Sequence, residues 1–334
     1  MQALSKQTLA QCLVAEQVEP ALATVITSVT EATRDIATLV HQGALAGVLG
    51  SAAVENVQGE TQKNLDVIAN NLLKDALAAN PQVRALASEE EEYVVAANST
   101  GRYVVAFDPL DGSSNIDING QIGTIFTVYP ALDNIADDSV LHFLQAGSAQ
   151  VCAGYVLYGA ATLLVLTMAA PDSPTRCYTL DAQSNTFVLT QEQFDVPAST
   201  QEFAANMANQ RFWDHGFKHY IADLLLGETG VRAKRFNMRW NAAMVGDVHR
   251  VLMRGGVFLY PRDSRNLDQP AKLRLLYEAN PMALLIEHAG GKAYGEASAG
   301  IETILSIKPQ ALHERVSVFL GSAEEVDLCL GYLD

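Results

Sequence analysis

Residues 105–119 read VAFDPLDGSSNIDIN, and this stretch decides the fold because an apolar, β-branched run leads directly into small and polar residues. Pro109 prevents a helix from starting where the run ends, so the pattern predicts a buried strand followed by a turn. Asp108 and Asp111 lie three residues apart on that turn, and their carboxylates can point to one place. With the Leu110 carbonyl between them, they offer the oxygen ligands that Mg²⁺ binds.

The residues that follow the second aspartate suit a phosphate group. Gly112 lets the backbone pass close to a ligand, while Ser113 and Ser114 offer hydroxyl groups. A helix or turn that begins at Ser113 would also present N–H groups to an anion. An ordinary surface turn is the alternative, since Asp, Pro, Gly and Ser are all turn formers. The buried strand before this turn favours the site.

An acidic run lies where it could join the same site. Glu89 and Glu90 open a run of four glutamates that follows the strand-like residues 83–87. A solvated acidic loop is the simpler explanation of such a run taken alone. If the run instead lies at a neighbouring sheet end, Glu89 and Asp111 could bridge metal ions, as two-metal phosphoryl chemistry requires.

Two further acids stand next to predicted helices. Asp66 lies in a helix that the spacing of apolar residues predicts over 63–79, and Glu278 precedes a helix for which Asn280 is the predicted N-cap. Each acid taken alone is more simply a structural or solvated residue.

The second half of the chain carries cations that could hold another anionic group. Arg239 and Lys272 offer a guanidinium fork and an ammonium charge, and Trp240 and Tyr260 lie between them in the sequence. Surface salt bridges are the alternative role for both cations.

Composition limits the possible partners and the compartment. The chain has 334 residues, 49% of them hydrophobic, and a net charge of −16, which disfavours binding to nucleic acid or to anionic membranes. Its four cysteines are far apart and form no CxxC pair. With an N-terminus that does not resemble a signal peptide, these features lead us to expect a cytoplasmic protein.

One uncharged segment, residues 151–171, is long enough to span a membrane, since roughly 20 apolar residues suffice. Its central Gly159 and its β-branched and aromatic content favour two buried strands that turn near that glycine.

The order of predicted elements suggests two blocks. Helices over residues 1–42 and 63–79, separated by a loop at 43–60, precede a run of strands, and a helix at 239–256 begins a more mixed second half. The polar segment 191–205 is the predicted boundary. We therefore expect domains at 1–194 and 195–334, in a layered α/β or α+β architecture.

Several motifs together resemble one family. FDPLDGSSNID and GTIF are similar to the metal-site motif of class I fructose-1,6-bisphosphatases, within the lithium-sensitive, magnesium-dependent phosphatase superfamily. The further matches, which lie on both sides of these motifs, occur in the order of that family: NVQGE, KNLD, SEEE, AGYVLYG, DVHR, GGVFLYP, KLRLLYEANPMA and AGGKA. The resemblance covers the chain from about residue 45 to its end.

The resemblance implies a fold and a set of site residues. The fold would be an αβαβα sandwich of helices and mixed sheets, with an N-terminal regulatory-type domain that carries the metal-site strands and a C-terminal substrate-binding domain. The implied metal ligands are Asp66, Glu89, Glu90, Asp108, Asp111, Glu278 and the Leu110 carbonyl. The implied substrate-binding residues are Gly112, Ser113, Ser114, Asn206, Tyr260, Lys272 and Arg239, the last reaching in from a neighbouring subunit.

The resemblance also implies an activity. The enzyme would hydrolyse the 1-phosphate of fructose 1,6-bisphosphate with two or more Mg²⁺ ions, or with Mn²⁺ substituting, and Asp66 and Glu90 would orient the attacking water. It would act in gluconeogenesis or reductive carbon fixation as a homotetramer that binds neither nucleic acid nor membranes. Sedoheptulose bisphosphate, an inositol phosphate or a nucleotide phosphate is an alternative substrate, and a non-enzymatic phospho-ligand sensor is a third possibility.

Overall fold

The structure, a computed structural model, describes residues 7–55, 61–170, 172–265, 271–297 and 300–333. Within these ranges the chain forms seven α-helices: α1 Leu9–Ala15, α2 Pro20–Gln42, α3 Asn64–Ala78, α4 His215–Leu226, α5 Met244–Arg254, α6 Asn280–His288 and α7 Ala323–Leu330.

The same ranges contain eighteen β-strands: β1 Ser51–Glu55, β2 Thr61–Lys63, β3 Val83–Ser88, β4 Val95–Ala96, β5 Tyr103–Asp111, β6 Ile122–Pro130, β7 Cys152–Tyr158, β8 Thr162–Met168, β9 Arg176–Asp181, β10 Thr186–Gln191, β11 Glu202–Ala204, β12 Asn237–Met238, β13 Val257–Tyr260, β14 Leu273–Arg274, β15 Lys292–Ala297, β16 Gly300–Thr303, β17 Arg315–Val316 and β18 Val318–Gly321.

Two large sheets organise the molecule. The first has eight strands in the order β10-β9-β8-β7-β6-β5-β3-β4, and its neighbours are antiparallel except for the parallel pair β3 and β5. The second has six strands in the order β12-β11-β13-β18-β15-β16, with β11 parallel to both of its neighbours. Two small ladders, β1-β2 and β14-β17, complete the strand pairing of the described residues.

Helices and sheets alternate in layers. One face of the eight-stranded sheet packs on α1, α2 and α3. Its other face packs on α5 and α6, which the six-stranded sheet covers from the opposite side. The outer face of the six-stranded sheet packs on α4 and α7. The αβαβα sandwich predicted from the resemblance is therefore confirmed.

The strands at the centre have both faces covered. All nine residues of β5 are buried, and successive side chains enter different cores: Val105 and Phe107 face the outer helices, whereas Val104 and Ala106 face the middle layer. This alternation is expected of a strand, in which neighbouring side chains point to opposite faces. It explains why the sequence of β5 reads as a continuous apolar run.

Two predictions for the N-terminal region need correction. The helical region predicted over residues 1–42 is interrupted after α1, where Gln17 has a positive φ of 55° and Pro20 then starts α2. The loop predicted over 43–60 contains a short 3₁₀ turn and β1, which pairs with β2. Residues 56–60 lie outside the described part of the chain.

Two predicted helix starts are also wrong. The helix predicted over 239–256 begins only at Met244, because Ala242 has a left-handed φ of 61° and Ala243 is extended. Asn280 is not an N-cap: a π-helical turn, Leu275–Ala279, runs directly into α6, and Asn280 itself has helical backbone angles.

The uncharged segment 151–171 forms two buried strands, as predicted. β7 and β8 pair along their whole length and turn between Tyr158 and Thr162. Among the described residues, no helix is long and apolar enough to cross a membrane. Cys12, Cys152, Cys177 and Cys329 are all buried free thiols.

Candidate active site

A β-bulge in β5 brings Asp108 and Asp111 to one face of the sheet. β5 continues through both of them, so the prediction that the strand ends near Phe107 and that both aspartates lie on a turn is wrong. Asp108 lies opposite Ile125 of β6, whereas Asp111 lies opposite Gly123, so three steps along β5 match two along β6. In a regular strand residues three apart face opposite sides. The extra residue of the bulge returns both carboxylates to the face that looks into the middle layer.

The parallel pairing of β3 and β5 brings the acidic run beside this bulge. Ser88, the last residue of β3, is opposite Phe107 of β5, and the Glu89 N–H donates a hydrogen bond to the Phe107 carbonyl at 3.1 Å. Because parallel strands end at the same edge of a sheet, Glu89 follows β3 where Asp108 follows Phe107. The predicted neighbouring sheet end is confirmed.

Glu278 approaches from the middle layer. It lies in the π-helical turn, and its carboxylate accepts a 2.6 Å hydrogen bond from the Arg274 N–H. One carboxylate oxygen each of Asp108, Asp111 and Glu278 can be chosen so that all three lie within 4.8 Å of one another. All three residues are buried.

In the absence of a cation, these carboxyl groups hold their protons to a higher pH than usual. Burial, with repulsion from Glu89 and other acids, raises the pKa of Asp111 to about 7 and the pKa of Asp108 well above its usual range. Burial likewise raises the pKa of Glu278 to about 7, although the Arg274 charge opposes the shift. The protein supplies too little positive charge to balance these carboxylates. A group of oxygen ligands of this kind fits a hard divalent cation.

Asp66, on the first turn of α3, adds an acceptor that the protein itself does not satisfy. One carboxylate oxygen accepts a 2.8 Å hydrogen bond from the Lys63 N–H, while the other is buried with no hydrogen-bond partner among the described residues. Burial raises the pKa of Asp66 to about 7, and the charges of Glu90 and Glu89 add to the effect. Asp66 is thus close enough to both glutamates for their charges to act on its carboxyl group.

The glutamates of the acidic run have different surroundings. Glu89 and Glu90 line the cavity described below, and Glu89 pairs with Arg274 at 2.8 Å. Glu91 instead binds Lys74 and Asn70 of α3, and Asn70 accepts a hydrogen bond from the Ser88 hydroxyl. This network fixes the end of β3 against α3, and thereby sets the positions of the two glutamates that line the cavity.

The segment after Gly112, which was predicted to suit a phosphate group, forms a 3₁₀ turn, Ser113–Ile118, so the predicted turn or helix start at Ser113 is confirmed. Gly112 has a φ of 84°, and a Cβ there would lie 2.5 Å from the Ala243 Cβ. The Asn115 side chain donates to the Asn241 carbonyl at 2.8 Å. The loop is therefore held against the segment that precedes α5.

One cavity of about 430 Å³ gathers most of the predicted site residues. Its walls contain Glu89, Glu90, Asp108, Leu110, Asp111, Gly112, Ser113, Ser114, Asn206, Tyr260, Lys272 and Glu278. Two predicted residues do not line it. Asp66 is buried on the first turn of α3. The Arg239 side chain is exposed and donates a hydrogen bond to the Met238 carbonyl at 3.0 Å.

Two features of the site were missed at the sequence level. Arg274 is buried, lines the cavity and pairs with Glu89; its signal was an arginine inside the apolar run four residues before Glu278. Asp247 accepts hydrogen bonds from the Asn241 main-chain and side-chain N–H groups at 2.9 and 3.0 Å, and so fixes the segment that holds the loop. No local sequence pattern marks that role.

Comparisons with known proteins identify the family of the chain. Residues 3–192 match the family model described as fructose-1-6-bisphosphatase, N-terminal domain, and residues 196–334 match the model of its C-terminal domain. A protein of Cellvibrio japonicus named fructose-1,6-bisphosphatase class 1 is 64% identical over 327 residues, covering 98% of this chain and 99% of its own length. A protein of the same name from Saccharophagus degradans is 66% identical over 319 residues, covering 96% and 97%.

Solved structures agree as well. The crystal structure of Leishmania major fructose-1,6-bisphosphatase in holo form superposes with a TM-score of 0.91 at 37% identity, covering 99% of each chain. The T-state structure of the same protein gives a TM-score of 0.85 at 35% identity.

The layered fold and the carboxylate site thus define a phosphoric monoester hydrolase of the sugar-phosphatase fold, a class whose members depend on metal ions. Within it, the chain belongs to the fructose-1,6-bisphosphatase family, and its curated relatives are of class 1.

Proposed function

We propose that the chain hydrolyses the 1-phosphate of D-fructose 1,6-bisphosphate to fructose 6-phosphate and inorganic phosphate, in gluconeogenesis or reductive carbon fixation. The observation that carries the proposal is the group formed by Asp108, Asp111 and Glu278, within 4.8 Å of one another in the cavity that also holds Ser113 and Lys272. In such a cavity, carboxylates that can bind metal ions lie beside hydrogen-bond donors that can bind the phosphate of a small molecule. The names of the relatives support the same substrate and do not favour sedoheptulose, inositol or nucleotide phosphates.

The proposed cofactor is Mg²⁺, two or more ions per subunit, with Mn²⁺ able to substitute. The ligands would be Asp66, Glu89, Glu90, Asp108, Asp111, Glu278 and the Leu110 carbonyl. When bound, the ions would neutralise the phosphoryl oxygens and the leaving alkoxide and lower the pKa of water. Two observations support this assignment: one buried Asp66 oxygen has no hydrogen-bond partner in the described part of the chain, and the carboxyl pKa values are raised.

The residues of the chain would divide the remaining work. Asp66 and Glu90 would orient the attacking water on the side of the phosphorus opposite the leaving sugar oxygen, and the Gly112–Ser114 backbone and hydroxyls would bind the phosphoryl group that is transferred. Asn206, Tyr260 and Lys272 hold the sugar and its other phosphate. Arg239, exposed in the single chain, would reach the site of a neighbouring subunit in a tetramer.

Substitutions in the acidic run test these roles. We expect Asp66→Asn and Glu90→Gln to lower kcat by about 100-fold or more, since general acid–base and orienting groups contribute factors of about 10²–10⁴. Glu92→Gln is the matched control, because Glu92 belongs to the same acidic run but is exposed and does not line the cavity, and it should retain most of the activity. The measurement is Mg²⁺-dependent phosphate release, and near-normal turnover in Asp66→Asn and Glu90→Gln would refute the assigned roles.

Substrate identity needs a panel rather than one compound. Fructose 1,6-bisphosphate, sedoheptulose 1,7-bisphosphate, an inositol monophosphate and a nucleoside monophosphate would be compared at equal Mg²⁺. The proposal requires the largest kcat/KM for the first. Little or no release from any of them would favour a sensor.

The domain division at 194/195 and the cytoplasmic location also remain proposals. Two features support them: the eight-stranded sheet ends at Gln191 before the six-stranded sheet starts at Glu202, and the four cysteines are free thiols, which suits a reducing compartment.

A further inference from the structure

His313 contacts two segments that carry proposed metal ligands, although it is not among the described residues that line the carboxylate cavity. One segment is the acidic run, 89–92, and the other is the π-helical turn that contains Glu278. Arg274, the residue before that turn, already joins the two segments inside the cavity through its 2.8 Å pair with Glu89. His313 joins them a second time, outside the cavity.

One ring nitrogen of His313 contacts the π-helical turn. Nδ1 lies 2.6 Å from the hydroxyl oxygen of Tyr277, the residue before Glu278. Tyr277 is fully buried in a core with side chains of β3 and β5, and its hydroxyl also lies 3.0 Å from the Leu312 carbonyl. Because the tyrosine ring is enclosed, a hydrogen bond to its hydroxyl holds His313 at a fixed distance from the turn.

The other ring nitrogen of His313 reaches the acidic run. Nε2 lies 3.3 Å from the carbonyl oxygen of Glu92. A carbonyl oxygen only accepts hydrogen bonds, so Nε2 carries a hydrogen atom. Burial lowers the pKa of His313 below its usual value. At pH 8 the ring is therefore neutral, and Nδ1 accepts the hydrogen bond from the Tyr277 hydroxyl.

Charge repulsion gives this second connection a role. Burial is the main cause of the raised pKa values of Asp108 and Asp111, and the charge of Glu89 adds to both, so these groups repel one another when they are ionised. The pair of Glu91 and Lys74 fixes the acidic run to α3 only. The hydrogen bond from His313 to the next residue of the run fixes it to the π-helical turn as well.

We propose that His313 is a positioning residue for metal binding: by joining the Glu92 carbonyl to Tyr277, it sets the spacing between Glu89 and Glu90 on one side and Glu278 on the other. This inference rests on the proposed function for the role of these carboxylates as Mg²⁺ ligands. Mg²⁺ demands near-ideal octahedral geometry with short metal–oxygen distances, so a small displacement of the acidic run weakens its binding.

Two substitutions of His313 separate the two contacts. The amide of His313→Gln ends near the position of Nε2 and can still donate to the Glu92 carbonyl, whereas the amide of His313→Asn ends near Nδ1 and cannot reach it. Isothermal titration with Mg²⁺ at pH 8, without substrate, should show a dissociation constant raised by about 10-fold or more in His313→Asn, as is typical when a residue that supports metal ligands is lost. His313→Gln should bind Mg²⁺ much more nearly as the wild-type protein does.

His288→Asn is the matched control. His288 is likewise half-buried, and its Nδ1 lies 2.8 Å from the Thr167 hydroxyl, away from the cavity. This variant should lose a hydrogen bond and some stability without a change in Mg²⁺ affinity. Tyr277→Phe is the second test, because it removes the hydroxyl but keeps the buried ring, and it should weaken Mg²⁺ binding even if His313→Asn does not fold.

Turnover supplies a further readout that a loss of stability alone would not move. In phosphate release from fructose 1,6-bisphosphate, His313→Asn should need a higher Mg²⁺ concentration for half-maximal activity but keep a kcat near the wild-type value at saturating Mg²⁺. Unchanged Mg²⁺ affinity in His313→Asn or Tyr277→Phe, equal losses in the Asn and Gln variants, or a loss as large in His288→Asn would overturn the inference. If the wild-type protein itself binds no Mg²⁺, the proposed metal site fails and the inference fails with it.

Discussion

At the scale of single residues, Gly112 is the tightest constraint on the site. Its φ of 84° disfavours any side chain, and a Cβ would lie 2.5 Å from the Ala243 Cβ. We expect Gly112→Ala to displace Ala243 and the following backbone, whose Val245 N–H donates to the Asp111 carboxylate at 2.6 Å. Kinetic assay should show a loss of about 100-fold in kcat, the scale of a misplaced reacting group.

Gly47→Ala separates collision from backbone strain. Gly47 has a comparable φ of 69°, but a Cβ there would meet nothing within 4 Å. Both variants should lose about 1–2 kcal/mol of stability from the left-handed backbone alone. Activity close to wild type in Gly47→Ala, with a large loss in Gly112→Ala, is the expected pattern. Equal activities in the two variants would contradict the steric argument.

Residue types predicted most of the site but not its geometry. Asp108 and Asp111 were identifiable because a carboxylate next to a buried strand is costly unless it binds a cation or accepts hydrogen bonds. The bulge that turns both to one face depends on pairing with Ile125 and Gly123 of the next strand, which no local pattern encodes. The capture of Glu89 by Arg274 likewise depends on contact between residues 185 positions apart in the chain (89 and 274).

At the scale of elements, the bulge of β5 and the π-helical turn hold buried carboxylates close together. Removal of metal ions should therefore lower the stability of the folded chain at a pH at which these groups are charged. The pKa values of Asp111 and Glu278 rise from 3.8 and 4.5 to about 7 on folding. Between about pH 4 and pH 7 the folded chain therefore binds more protons than the unfolded chain, so its stability falls as pH rises. In a chelator, we expect the melting temperature to be lower at pH 8 than at pH 5.5 through these groups.

Mg²⁺ should reverse that loss at pH 8, by about 2.7 kcal/mol at a concentration 100 times the dissociation constant. Asp111→Asn is the control, because it keeps an acceptor for the Val245 N–H but removes one titrating charge. It should show both a smaller fall in stability with pH and a smaller response to Mg²⁺. A wild-type melting temperature that does not respond to Mg²⁺ would contradict the assignment of these carboxylates as ligands.

Element boundaries show where local preference gave way to tertiary contacts. Asn280 and Pro281 form a good helix-start signal, yet the chain is already helical before them. The π-turn places Leu276 and Tyr277 in the core against β5 and leaves Glu278 at the cavity. Packing of that turn against the sheet outweighed the preference of Asn for a capping position.

At the scale of the molecule, α6 lies between the two large sheets and belongs to a core that both sheets share. Leu285 on this helix is fully buried. We expect Leu285→Ala to destabilise the protein by about 2–5 kcal/mol. Urea unfolding followed by far-UV circular dichroism and by tryptophan fluorescence should still give one coincident transition, because the two halves share this core. The two probes test this because both tryptophans lie in the second half, whereas circular dichroism reports on the whole chain.

Leu225→Ala on α4 is the matched control, since this leucine is 60% exposed and should change stability by no more than about 0.5 kcal/mol. Separate transitions for the two probes in the wild-type protein would show that the halves unfold independently, against the shared core. The sequence indicated two blocks through the polar segment 191–205 but gave no sign that one helix would join them, because that contact links residues far apart in the chain.

The four buried cysteines make it possible to measure how readily each layer of the fold opens. Cys12 and Cys152 lie in the core between the eight-stranded sheet and α1–α3, Cys177 lies in the middle core, and Cys329, on α7, lies in the core outside the six-stranded sheet. A thiol reagent can reach each one only when its own layer separates, so the order in which the four sulfur atoms are labelled in the native protein ranks the layers by the free energy of their fluctuations.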